Sequence, residues 1–243
     1  GRVVAADDLR RALAEHGPFD AVTLVSNETS TGARTPLDRV AEVLVEFPGV
    51  HLLVDLVSYL AGAPIDFDTN RIDFGLAGVQ KALALPPGLS VCCASARYME
   101  SARSQHNRGF YLDPVSFIEG HVKRATPSTP ALSLYYALAR QLEDITAGTT
   151  LPERDRGATG AAAWEARYAK HQRMQSATVA WGKTHGLELL SPPEEASPTV
   201  SCMRAGGLDV GEFVARLKRK GHEIGNGYGP LKGKTFRIGH MGD

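Results

Sequence analysis

The chain has 243 residues, 43% of them hydrophobic, which is enough for one large core or two modest ones. Lysine plus arginine equals aspartate plus glutamate at 27 each, so a formal net charge of zero supplies no drive toward nucleic acid or an anionic membrane. No apolar run reaches the roughly 18 residues of a membrane span, no basic-then-apolar leader opens the chain, and three cysteines, two of them adjacent, form no disulfide framework. A reducing, cytoplasmic setting is expected.

The chain opens at Gly1 without a methionine and stops at Asp243 just after a strand-like run, so a fragment of a longer protein is expected. Leucine and alanine at helical spacing predict a helix over Ala5 to His16, with acidic residues in its first turn to suit the helix dipole. A buried strand is expected over Ala21 to Val25, followed by the polar loop NETSTG. Leu37 to Phe47 reads as an amphipathic helix entered from Pro36. Val50 to Asp55 is nearly all apolar, the pattern of a parallel strand covered on both faces. Further strands are expected around Asp73 to Ala77 and, after the PPG turn, from Leu89 to Ala94.

Strands alternating with helices imply βαβ crossovers and a three-layer, mostly parallel α/β sheet. Ligands bind such sheets at the carboxyl ends of the strands. That directs attention to Ser30, Asp55, Ser58, Gln80 and Lys81.

Beyond Pro130 the texture changes. ALSLYYALARQLEDI predicts a long helix, a polar connection follows, and a second long helix covers roughly Ala161 to Thr184. Strand TVSCMRA, helix LDVGEFVARLKRKG and strand pieces around HEIG and KTFRIGHM then predict a smaller α+β unit. The expected division is a large domain over 1–147 and a small one over 148–243.

Asp55 ends an apolar strand. Such a carboxylate either closes a loop or caps a helix, or, if it is buried, requires a cationic partner. Lys81 also follows an apolar strand, and taken alone it could be an ordinary exposed lysine. Cys92, Cys93 and Cys202 lie in apolar strands and read as core. RLKRK, Arg216 to Lys220, reads as the solvated end of a helix. No histidine, cysteine and carboxylate cluster has metal-ligand spacing.

Together, VDLVS, IDFGLAGVQK and PPGLS resemble the class V aminotransferases of the fold-type I pyridoxal phosphate family. Its members include alanine–glyoxylate, serine–glyoxylate and phosphoserine aminotransferases. The resemblance runs from about Phe19 to the end. It implies that Lys81 holds pyridoxal 5′-phosphate as a Schiff base and serves as general base. It places Asp55 on the pyridinium nitrogen, Val57 on a ring face, Ser30 near the ring oxygen and Gln80 at the phosphate. In RATPSTPALSLYYAL it implies that Thr126, and less directly Ser128, complete the phosphate site of a neighbouring subunit in a homodimer. Ala125 departs from the asparagine usual before that threonine in phosphoserine aminotransferases, and TPSTP also reads as a helix N-cap. In GYGPLKGKTFRIGHMGD it makes Arg237 the partner of the substrate α-carboxylate, a role a guanidinium fork suits. His106 and Arg108 lie in a loop that would approach the dimer interface.

The family's glycine-containing, phosphate-binding helix start and its ring-stacking aromatic are expected to precede Gly1, and the end of the small domain to follow Asp243. The implied reaction moves an amino group from alanine or serine to a 2-oxo acid such as glyoxylate. Phosphoserine with 2-oxoglutarate is the alternative. A cysteine desulfurase is disfavoured because Gln80 stands where those enzymes carry histidine. A non-catalytic remnant of the fold is the reading from a different class.

Overall fold

The computed structural model describes residues 2–243. Helix α1 (Ala6–His16) has Asp7 and Asp8 in its first turn. Strand β1 (Ala21–Val25) leads into a short antiparallel pair, β2 (Asn27–Glu28) and β3 (Ala33–Arg34), which closes the polar NETSTG loop. Helix α2 (Leu37–Val45) turns Leu37, Val40, Ala41, Val43 and Leu44 inward, an apolar stripe at helical spacing. Strand β4 (His51–Asp55) lies parallel to β1, with Val25 opposite Asp55. Strand β5 (Phe74–Gly78) lies parallel to β4, with Asp55 opposite Leu76. Leu52 and Val54 project onto the face covered by α1 and α2, where they meet Leu13, Val40 and Val43. Each such side chain contributes about 1.5–3 kcal/mol on full burial.

Strand β6 (Ser90–Ala94) departs from the parallel pattern, because it runs antiparallel to β5. The connection over 79–89 contains no helix, and a parallel crossover needs a dozen or more residues, so the chain folds straight back. The sheet order is β1-β4-β5-β6.

The expectation that β4 is covered on both faces is also corrected. Its Leu52 and Val54 are buried, whereas His51, Leu53 and Asp55 on the other face are only partly so. On that second face Tyr98 packs on Phe74, but Thr23, Val25 and Leu76 reach solvent. Cys92 and Cys93 are exposed rather than core, since β6 is an edge strand; Cys202 is buried as expected. An apolar run alone does not distinguish these environments.

Helix α3 (Ala96–Ser104) is capped by Ser95 Oγ, which accepts the Tyr98 N–H, and α4 (Pro114–Val122) by Asp113. At the amino ends of the strands, buried Asp73 accepts hydrogen bonds from Leu52 N–H (2.9 Å), Ser95 Oγ (2.7 Å) and the Arg97 guanidinium. Burial opposes its charge, but Arg97, Leu52 and Ser95 hold the carboxyl below the usual carboxylate range.

Helix α5 (Leu132–Thr146) packs on α6 (Ala161–Thr184). Strands β7 (Val200–Arg204), β8 (Gly225–Asn226) and β9 (Thr235–Gly239) form an antiparallel sheet in the order β7-β9-β8. Helix α7 (Val210–Arg219) joins Val210 and Phe213 to Met203 and Phe236 in its core. Its basic end is solvated as expected, with Arg216 on Glu212 at 2.8 Å. No helix among the described residues is long and apolar enough to cross a membrane.

Candidate active site

The carboxyl ends of β1, β4 and β5 lie side by side, and the chain that leaves each of them carries the polar residues. At the first junction, the N–H and hydroxyl of Ser26 both donate to the Asp55 carbonyl, at 3.1 and 3.0 Å. Behind it, the Asn27 amide donates to Ser58 Oγ at 2.7 Å and Thr199 Oγ1 at 3.1 Å. Ser58 Oγ donates back to the Asn27 carbonyl at 2.8 Å. This buried network ties the first loop to the one after Asp55 and to the chain entering β7.

Asp55 is half-buried. Its Oδ1 accepts the Val57 N–H at 2.8 Å and closes the turn, while no ion pair forms among the described residues. The loop-closing reading therefore holds for one oxygen. The cationic partner expected of a buried carboxylate is absent among them, because the side chain lies on the partly open face and retains solvent. Val57 is held beside Asp55 by the same turn.

Lys81 follows β5 at the same edge as Asp55. Its turn is firmly seated: Leu85 N–H donates to the Val79 carbonyl at 3.1 Å and Ala84 N–H to the Lys81 carbonyl at 2.9 Å. Val79, Ala82 and Leu83 are buried with Ile145 of α5, leaving Lys81 half-buried at the surface of that core. Gln80 folds over Gly78 so closely that a Cβ there would overlap its amide.

The small sheet supplies the other wall. Arg237 on β9 donates from Nε to the Asn226 carbonyl at 3.1 Å and from Nη1 to the Thr29 carbonyl at 3.4 Å. Its Nη2 has no hydrogen-bond partner among the described residues. Ser30, next to Thr29, donates its N–H to Glu28 Oε1 at 2.7 Å, and its carbonyl faces the Cys202 thiol at 3.5 Å. Cys202 stands opposite Arg237 in the sheet. Ser30 and Arg237, far apart in sequence, thus share one corner.

Thr126 is exposed in the connection between α4 and α5, and Ser128 is partly buried there; neither has a hydrogen bond among the described residues. Arg108 is engaged within the chain, with Nε on Asp113 Oδ1 at 2.9 Å, whereas His106 is exposed.

Sequence reasoning missed Asn27 and Thr199, and a second set on α6. Arg167, His171 and Gln175 are buried at i, i+4 and i+8, a polar stripe facing inward. That spacing was the available signal. No group of three or more histidines, cysteines or carboxylates among the described residues could hold a metal.

The class-V aminotransferase family profile matches residues 2–152. The chain belongs to that family. It is 33% identical, over all of its length and 60% of the relative's, to an uncharacterized aminotransferase of Methanocaldococcus jannaschii. It is 31% identical to the serine–glyoxylate aminotransferase of Arabidopsis thaliana, over 94% of this chain and 55% of that one. Among solved structures it matches an alanine–glyoxylate aminotransferase from Nostoc sp. with a TM-score of 0.84 and 33% identity, covering 100% of this chain and 61% of that one. The fold is therefore the α/β architecture of the fold-type I aminotransferases. The chain spans about 60% of the length of the first relatives it matches.

Proposed function

We propose that the whole protein is a pyridoxal phosphate-dependent transaminase that moves an amino group from alanine or serine to a small 2-oxo acid such as glyoxylate. The observation that carries this reading is the placement of the Lys81 turn beside Asp55 at the carboxyl ends of β5 and β4. Residues 1–147 would form most of the large cofactor-binding domain and 148–243 much of the small one.

The residues fit the cofactor. Lys81 offers a primary amine for its aldehyde, and the oxygen of Asp55 not used by the turn offers an anion for its ring nitrogen. Gln80, drawn over Gly78, offers an amide to the phosphate, and the Ser30 hydroxyl has no partner among the described residues. Val57 would support a ring face. When bound, the cofactor supplies an electron sink for the carbon that loses its proton. Lys81 Nζ would be the base suited to carry that proton. Arg237 Nη2 is the donor suited to the substrate carboxylate, because Nε and Nη1 are already anchored on backbone carbonyls.

A homodimer is part of the same proposal. Phe110, Tyr111, Leu112, Val122 and Tyr136 are each at least two-thirds exposed on the 110–112 loop, α4 and α5, an apolar surface suited to a second copy. Thr126 lies between α4 and α5 and would serve the neighbouring phosphate site. Relatives named for glyoxylate as acceptor favour the alanine or serine reading. The phosphoserine aminotransferase likeness, at 21% identity, supports the fold alone.

Steady-state rates of the full-length protein test the choice. Alanine or serine with glyoxylate should exceed O-phosphoserine with 2-oxoglutarate. The reverse order would move the assignment to phosphoserine, and sulfide release from cysteine without transamination would move it to a lyase.

A further inference from the structure

Arg167 stands in the second turn of α6, wholly buried, and plays no part in the site described above. Its Nη2 donates to the carbonyl of Ala82, the residue after Lys81. Its Nη1 donates to the Asp243 carboxylate and faces Thr150 Oγ1 at 3.4 Å. Asp243 also accepts from Gln141 Nε2 at 2.5 Å and lies 3.9 Å from Lys170 Nζ. Lys170 in turn donates to the Gly242 carbonyl at 2.8 Å. Burial opposes the charge on Asp243, but Arg167 and Gln141 hold its carboxyl below the usual range.

A buried guanidinium is an expensive way to gain stability, since apolar side chains of similar volume often do as well. Here the cost is raised because Arg167 Nε is buried without an acceptor. What the arrangement provides is geometry. One planar fork fixes two backbone segments at once, the Lys81 turn and the 240–243 segment that leaves β9 a few residues beyond Arg237. A flexible apolar chain could fill the space without setting that relation.

We propose that Arg167 is a positioning residue that clamps the Ala82 carbonyl to the Asp243 carboxylate and so sets Lys81 against the Arg237 strand. The proposal rests on the transaminase reading, in which Lys81 and Arg237 act on two ends of one substrate. The clamp acts through backbone and never touches the substrate.

The test uses the full-length protein with Arg167→Met, Arg167→Lys and Asp243→Asn. Two measurements are made at a temperature where far-ultraviolet circular dichroism reports each variant folded. The first is hydrogen exchange of the amides over 79–85, which needs no cofactor. The second is kcat and KM at saturating pyridoxal phosphate. Arg167→Met should speed exchange over 79–85 at least tenfold and lower kcat by on the order of ten- to a hundredfold, the scale of a small misplacement of reacting groups. KM should change less than kcat. Arg167→Lys, which keeps one donor to one acceptor, should recover part of the loss.

If Arg167→Met fails to fold, Asp243→Asn decides, because it keeps the shape and an acceptor but weakens the anchor; it should lower kcat in the same direction. Unchanged kcat and unchanged exchange over 79–85 in the folded variants would overturn the clamp. If the unmodified protein does not transaminate, the functional reading fails instead, and the exchange result still reports whether Arg167 orders the Lys81 turn.

Discussion

Gly78 illustrates how single atoms set the site. Gln80 lies where a Cβ at position 78 would be, so Gly78→Ala must push the amide aside. Because the displaced group is the end of a flexible side chain, the stability cost should stay near 1 kcal/mol, within the ordinary range for a point change. Pyridoxal phosphate affinity should fall several-fold, measured by titration; unchanged affinity would remove Gln80 from the phosphate site. Gly32 predicts the opposite balance. Its φ is +66°, and a Cβ would come within 2.8 Å of the Cys202 backbone nitrogen. Gly32→Ala should therefore cost about 1–3 kcal/mol in urea unfolding and disturb the Ser30 loop with it.

Residues of this kind divide by how far their meaning depends on distant chain. Lys81 and Asp55 drew attention because each comes at or just after the end of an apolar strand, and sheet geometry places strand ends at a ligand edge; the roles proposed for them came from the resemblance. Arg237 was assignable only by resemblance, because its meeting with Thr29 and Ser30 depends on how β9 lies against a loop at the other end of the chain. Arg167 and His171 lay unremarked in the helix expected over Ala161 to Thr184. Their burial depends on Ala82, Gly62 and Gly242, which no local pattern connects to α6.

At the scale of elements, the expected strands and helices formed nearly where the periodicity placed them, α3 and α4 were not anticipated, and the remaining differences concern neighbours. The sequence placed a turn before β6 but did not set its direction; it runs antiparallel because the short link over 79–89 folds the chain straight back, while the rest of the main sheet is parallel. The exposure of Cys92 and Cys93 follows from their edge strand.

The joint between α6, the loop at Gly62 and the end of β9 carries two buried histidines. His171 places Nδ1 at 2.9 Å from the Gly62 carbonyl and Nε2 at 3.2 Å from the Gly242 carbonyl. His240 places Nε2 at 2.9 Å from Ser201 Oγ. Burial lowers both, His240 to about 4, with the proximity of His171 adding to the effect. In the unfolded chain each protonates near pH 6.5, so the unfolded state binds more protons below that value and stability falls as pH drops toward 4. For His240 alone the loss amounts to about 3 kcal/mol by pH 4. Urea unfolding at pH 7 and pH 4.5 should show the decline, and His240→Gln should flatten it. An equally steep decline in that variant would place the pH dependence elsewhere. Asp73, depressed mainly by Arg97 against the effect of burial, adds a further loss only below its unfolded value of about 3.9.

For the whole molecule, two surfaces bear on assembly. One face of the main sheet leaves Thr23, Val25 and Leu76 in solvent, and α4 and α5 expose large apolar side chains. The full-length protein should sediment as a dimer, and Tyr136→Glu should shift it toward monomer. Mixing a Thr126→Ala subunit with a Lys81→Ala subunit would then report whether Thr126 serves its neighbour: activity above the mean of the two parents requires a shared site, and activity at that mean contradicts one.

The role proposed for Lys81 in holding the cofactor has a direct test. The full-length protein is incubated with pyridoxal phosphate, reduced with borohydride, digested and analysed by mass spectrometry. A reduced cofactor should be fixed on the peptide containing Lys81, with none there after Lys81→Ala. Stoichiometric labelling of a different lysine, or no labelling at all, would contradict it.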